Sequence, residues 1–233
     1  MVTFKEKKWV IFPLVLVLFG VLCFIYREDL SPAVGQNSTE PYYEGIKGEN
    51  QASLCLNVDW GEEYIPEILK ILKKEDVKIT CFLTGRWCEK NPDMAKEILK
   101  SGMEIGNHGL KHKSPNAMNY DENLEDIKES EAIFNRVLSV KTMLFAPAAG
   151  EIENQVLDAA KDLGYRTILW SVDTIDWQKP TPEVIVERVD SKIADGSIVL
   201  MHPTENTVQA LPQMIKNIKG QGLNLVPVSE LIS

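Results

Sequence analysis

From about residue 52 the chain alternates short apolar runs with segments in which apolar residues return every three or four positions. Leu54-Cys55-Leu56-Asn57-Val58 reads as a first strand, and residues 65–74 as a helix with Ile68, Leu69, Ile71 and Leu72 on one side. The pattern then predicts a strand over 77–83, a helix over 93–101 stopped by Gly102, and a short strand over 103–106. A long polar helix over 123–139, a strand over 142–145 and a helix over 154–163 follow, the last stopped by Gly164. Strands over 166–172, 197–201 and 224–227 alternate with helices over 182–193 and 207–219. This order predicts parallel strands joined by helical crossovers, arranged as an open doubly wound sheet or as a barrel. In both architectures functional residues gather at the C-terminal ends of the strands.

The first thirty residues follow a different pattern. Residues 9–26 carry no charge, and three lysines, Lys5, Lys7 and Lys8, precede them. A helix of that length spans about 27 Å, close to the ~30 Å hydrocarbon core of a bilayer. Trp9 and Tyr26 stand at its ends, where aromatic side chains favour the interface, and the lysines place the N-terminus on the cytoplasmic side. The reading is a cytoplasmic basic segment at 1–8, one uncleaved transmembrane helix at 9–26, an exposed linker at 27–51 rich in Ser, Pro, Gly, Asn and Glu, and a globular domain at 52–233. That makes the chain a single-pass protein of the cell membrane with its domain outside the cytoplasm.

Composition narrows the partners. The net charge is −9, and no basic stripe stands out beyond the first eight residues, so nucleic acid is not an expected partner. No glycine-rich phosphate loop follows the first strand, which argues against nucleotide binding. Of the four cysteines, Cys23 falls in the membrane segment, leaving an odd number outside and no disulfide framework; Cys55 and Cys81 sit in apolar runs as buried thiols.

The chemistry lies in the histidines, of which the chain has three. His108 and His112 are four positions apart, a spacing that on a helical turn puts both imidazoles on one face within reach of one ion. Two imidazoles and one carboxylate make the open three-ligand site with which zinc holds and acidifies a water. Asp59, at the end of the first strand, is the best carboxylate, with Glu62 and Glu63 better read as a solvated acidic turn. His202 closes the apolar run Ile198-Val199-Leu200-Met201 and is suited to act as a general acid, with Asp176 orienting it. Trp60, Trp170 and Trp177 read equally well as core aromatics or as stacking platforms for sugar rings.

With these residues in place, the chain resembles the polysaccharide deacetylases (the NodB homology domain, carbohydrate esterase family 4) over roughly 52–232. Gly106-Asn107-His108-Gly109-Leu110-Lys111-His112 is similar to the family's His-x-x-x-His metal motif. Ser171-Val172-Asp173-Thr174-Ile175-Asp176-Trp177 is similar to its Asp-Trp motif, and the run ending Leu200-Met201-His202 to its Leu-x-His strand. The resemblance implies a distorted (β/α) barrel of about seven strands and metal-dependent removal of N-acetyl groups from a polysaccharide such as peptidoglycan. It implies a divalent ion, zinc by expectation, on Asp59, His108 and His112, with Asp59, His202 and Asp176 as catalytic residues and Trp177, Leu200 and Trp60 against the substrate. Within the family, the chain looks most like the sporulation-associated deacetylases of Firmicutes.

Two motifs depart from the family. Its Thr-Phe-Asp-Asp-Gly, where the first Asp is the base and the second binds metal, reads Cys55-Leu56-Asn57-Val58-Asp59-Trp60-Gly61 here. Aligned without a gap, Asn57 takes the base position and Val58 the metal position; aligned on the glycine, Asp59 and Trp60 take them. The arginine that braces the base in the family is replaced by Ala146. Losing base and arginine together avoids an unpaired buried arginine, which favours the ungapped alignment. The alternative to an active deacetylase is therefore a weak or inactive sugar-binding homologue.

Overall fold

The computed structural model describes residues 40–233. The expected membrane helix at 9–26 and the basic segment at 1–8 lie outside the described residues; among those described, no helix is long and apolar enough to cross a membrane.

The sheet is built around β1 (Gln51–Val58), buried along its length after Gln51, as a central strand covered on both faces must be. It pairs in parallel with β2 (Thr80–Leu83) on one side and with β7 (Ile198–Met201) on the other. β3 (Glu104–Asn107), β4 (Leu144–Phe145) and β5 (Arg166–Thr167) extend the β2 side, and β6 (Val172–Asp173) extends β7. The order is β5-β4-β3-β2-β1-β7-β6, seven parallel strands, with β8 (Asn224–Leu225) paired to the start of β1. This curled parallel sheet agrees with the expected distorted (β/α) barrel.

Alternation along β1 separates two apolar layers. Ala52, Leu54, Leu56 and Val58 face the helices, in one cluster with Val199 and Met201 of β7. Cys55 faces the inside of the curl, where it meets Phe82, Leu144, Ile168 and Ile198. Each fully buried Leu, Ile or Phe contributes about 1.5–3 kcal/mol of transfer free energy, so these layers dominate the stability. α8 (Val228–Leu231), in a stretch read from the sequence only as the end of the chain, closes the inner layer with Val228 and Leu231.

The helices have recognisable starts. α1 (Ile65–Lys74) has proline in its first turn, Glu67 near its N-terminus and Lys73 and Lys74 at its end, all favourable to the helix dipole. α2 (Gly85–Lys90), absent from the sequence reading, is capped by the Thr84 hydroxyl, which accepts from the Trp87 N–H at 3.2 Å. α3 (Pro92–Lys100) follows. α4 (Tyr120–Leu138) starts earlier than its apolar periodicity suggests, because Asn119 and Glu122 form a capping box. α5 (Asn154–Asp162), α6 (Pro182–Asp190) and α7 (Glu205–Gly220) complete the set.

Two expectations change. The single strand expected over 166–172 is one extended run serving two edges: Arg166 and Thr167 pair with β4, and Val172 pairs with Val199 of β7. A run linking opposite edges of a curled sheet cannot keep one partner throughout, so it splits into β5 and β6. The exposed linker expected over 27–51 is in part integral to the domain. Tyr42 donates its N–H to Thr167 O and accepts from the Leu169 N–H, the Gly45 N–H bonds Gly196 O, and the Ile46 N–H bonds Leu231 O. Polar, proline-containing composition hid these backbone bonds.

Candidate functional site

Parallel strands deliver their C-terminal ends to one side, so His108 after β3, His202 after β7 and Asp59 after β1 emerge together. The histidine pair forms as expected, though through a loop instead of a helical turn. Gly109 at φ 77° and His112 at φ 52° turn the chain back and bring the two rings edge to face, centroids 5.0 Å apart. The loop is held from below: the Gly109 N–H donates to Asn107 Oδ1, Ser130 Oγ donates to Gly109 O, and Asp126 accepts from the Leu110 N–H.

His108 is buried, and its Nδ1 lies 2.6 Å from the carbonyl oxygen of Ala146. A carbonyl only accepts, so Nδ1 carries the proton and Nε2 keeps its lone pair. Burial, and then the neighbouring His112, push the His108 pKa down to about 3, so the ring is the neutral ligand form at physiological pH. His112 is exposed. Ala146, at the family's arginine position, packs in the inner apolar layer; its carbonyl holds His108 and its N–H donates to Asn107 O.

On the other side of the site, His202 Nδ1 lies 2.8 Å from Asp176 Oδ1, and its backbone N–H donates to Asp176 Oδ2 at 2.6 Å. Thr207 Oγ1 adds a third bond to the same carboxylate at 2.7 Å. Asp176 is fully buried, so these donors replace the water it has lost. The arrangement fixes the His202 ring with Nδ1–H toward Asp176 and Nε2 outward, the orientation a general acid needs. Trp60 lies parallel to the His202 ring, centroids 6.1 Å apart at 7°. Gly61 makes that possible: its φ is 80°, and a Cβ there would stand 2.2 Å from the carbonyl oxygen of Pro203.

The carboxylate side differs from expectation. Asp59 accepts from Thr84 Oγ1 at 2.7 Å and is paired with the guanidinium of Arg86, a residue of α2 that the sequence reading missed. Glu62 stands 3.9 Å from Lys90, and Glu63 is exposed, as a solvated turn should be. Among the described residues no three His, Cys, Asp or Glu side chains are placed to hold a metal ion. In this structure the Asp59 carboxylate is engaged by Arg86 and Thr84 and is not grouped with His108 and His112. Two imidazoles alone are one ligand short of the three-ligand set of catalytic zinc. Asn57, at the family's base position in the ungapped alignment, is buried, and its Oδ1 has no hydrogen-bond partner. Val58 packs in the helix-facing core.

The tryptophans divide. Trp170 packs against the inner layer, whereas Trp60 and Trp177 are 43% and 54% exposed. Leu200 is buried one residue below Met201, and its carbonyl accepts from the Thr174 hydroxyl at 2.9 Å. The three described cysteines are free and buried, as read for Cys55 and Cys81.

Comparison with known proteins gives consistent results. Residues 46–168 match the polysaccharide deacetylase family. A peptidoglycan-N-acetylglucosamine deacetylase of Bacillus cereus is 36% identical over 192 residues, covering 78% of this chain and 89% of that protein. The crystal structure of a wild-type pseudoenzyme of carbohydrate esterase family 4 from Bacillus anthracis superposes with a TM-score of 0.82 at 41% identity, over 84% of this chain and 70% of that one. A mutant of the same pseudoenzyme, described as having restored enzymatic activity, gives the same TM-score at 39% identity over 84% of this chain and 72% of that one. From its matched residues, its motifs and its sheet, this chain belongs to the polysaccharide deacetylase family.

Proposed function

We propose that this chain binds an N-acetylated wall polysaccharide such as peptidoglycan, and that its hydrolytic centre is incomplete. The observation that carries this reading is the engagement of Asp59 with Arg86 and Thr84, beside a neutral Asn57 at the base position. A hydrolytic water needs an ion or a base to take its proton, and among the described residues no carboxylate is grouped with His108 and His112 to share one. The similarity to a pseudoenzyme supports the same view. What remains is suited to holding a sugar: two exposed tryptophan faces and the oriented Nε2 of His202. The apolar run at 9–26 would tether the domain at the outer face of the membrane, against the wall.

A second reading, metal-dependent deacetylation, is favoured by the intact His202–Asp176–Thr207 arrangement and by similarity to a peptidoglycan deacetylase. It requires Asp59 to leave Arg86 and join His108 and His112 on a divalent ion, with His202 protonating the leaving amine. Titrating the full chain with an N-acetylglucosamine tetramer, followed by tryptophan fluorescence alongside an acetate assay, separates the two. Saturable quenching without acetate supports the first reading; acetate release contradicts it, and absence of quenching removes glycan binding.

A further inference from the structure

One buried amide at the floor of the site is left without a partner. Asn57 is 6% exposed, and its Oδ1 accepts no hydrogen bond among the described residues. An unpaired buried acceptor costs stability, so folding alone does not account for it. Alternation along β1 puts Asn57 on the face of Cys55, toward the inside of the curl, while Leu56 and Val58 face the helices. The strand register aligns it with Phe82 of β2. Carried one residue past the Leu56–Met201 pair, the register of β1 with β7 sets Asn57 beside His202.

The side chains around it on that face do not supply a donor. Phe82 and Ala146 are apolar, and the His202 Nδ1–H is directed at Asp176. A donor for Oδ1 has to arrive with a ligand. A cation is a poor match, because an uncharged amide does not neutralise it and the Asp59 and Asp176 carboxylates are already engaged. An anion is a worse one, since Oδ1 offers it only lone pairs. A neutral N–H satisfies the acceptor without bringing a charge into the site. On an N-acetylated glycan that group is the acetamido N–H.

We propose that Asn57 is a specificity-determining residue, which accepts a hydrogen bond from the acetamido N–H of an N-acetylated sugar bound beside His202. The inference rests on the glycan-binding reading above and adds to it which group of the sugar is recognised, and by which side chain. At the position where the family resemblance puts a base, this chain then carries an amide that holds the acetamido group instead of a carboxylate that activates water against it.

N-acetylglucosamine and glucosamine tetramers are titrated into the full chain and into its Asn57→Leu and Asn57→Ala variants, with tryptophan fluorescence as the signal and urea unfolding run in parallel. The parent is expected to bind the N-acetylated tetramer about tenfold more tightly, the scale of one buried hydrogen bond. In both variants that ratio should fall to within about twofold, through weaker binding of the N-acetylated tetramer alone. The size-matched Asn57→Leu should keep the parent's urea midpoint, because no bond within the fold is lost. A lowered midpoint in Asn57→Leu would reveal an internal partner for the amide and overturn the inference. Equal loss of both tetramers in the variants also overturns it, because a sugar hydroxyl would then be the donor. A parent without the preference, or variants that keep it, overturn it too and leave the glycan-binding reading standing. Binding of neither tetramer by the parent removes both.

Discussion

Arg86, in the first turn of α2, pairs with Asp59 at the end of β1, and this ion pair decides how the site is read. Ala146, at the family's arginine position, holds no charge, and among the described residues the guanidinium paired with Asp59 is that of Arg86, just after β2. Asp59 is largely covered while Arg86 is half exposed, so the guanidinium can stay hydrated while the carboxylate is neutralised.

The His202 arrangement should contribute measurably to stability whether or not the protein hydrolyses anything. Asp176→Ala removes a fully buried acceptor of three hydrogen bonds. Leaving the Thr207 hydroxyl and the His202 N–H without it should cost about 1–3 kcal/mol. Urea unfolding of the variant checks this, and an unchanged midpoint would mean that water takes over the site freely.

Gly61 predicts a coupled loss. Gly61→Ala places a methyl group against Pro203 O and forces a left-handed φ on a residue with a side chain. About 1–3 kcal/mol of destabilisation is expected, with a shift in tryptophan emission as Trp60 leaves His202. Destabilisation without the emission change would place the strain elsewhere.

How much of this could be read in advance follows from the range of each interaction. The strand–helix order from β1 to α7 was legible because periodicity is local, and the histidine pair because two imidazoles four residues apart meet on either a helical turn or a tight loop. The Asp59–Arg86 pair was not: α2 is a six-residue helix with no apolar repeat, and its capping threonine lies at a strand end. The Trp60–His202 stack joins residues far apart in sequence through a single left-handed glycine. The backbone bonds of Tyr42 to Ile46 left no mark on side-chain composition, so that stretch read as linker.

The buried thiols predict an alkaline limb. Burial pushes Cys81 and Cys88 up to about 12 and Cys55 well above its ordinary value of 9.0. The unfolded chain loses these protons near pH 9 while the folded chain keeps them, so their contribution is complete below pH 9 and declines up to about pH 12. The slope is about 1.4 kcal/mol per pH unit for each thiol. Urea midpoints between pH 8 and 11 check it: Cys81→Ala should fall less steeply than the parent, and parallel curves would assign the limb to other groups.

The central claim is that two imidazoles without a carboxylate do not make a hydrolytic centre. Its most direct test is acetate release from an N-acetylglucosamine tetramer, with zinc supplied, by the full chain and by its His108→Ala variant. The account predicts the same background rate for both. A parent rate about 100-fold or more above the variant, the scale at which a catalytic group acts, would contradict it.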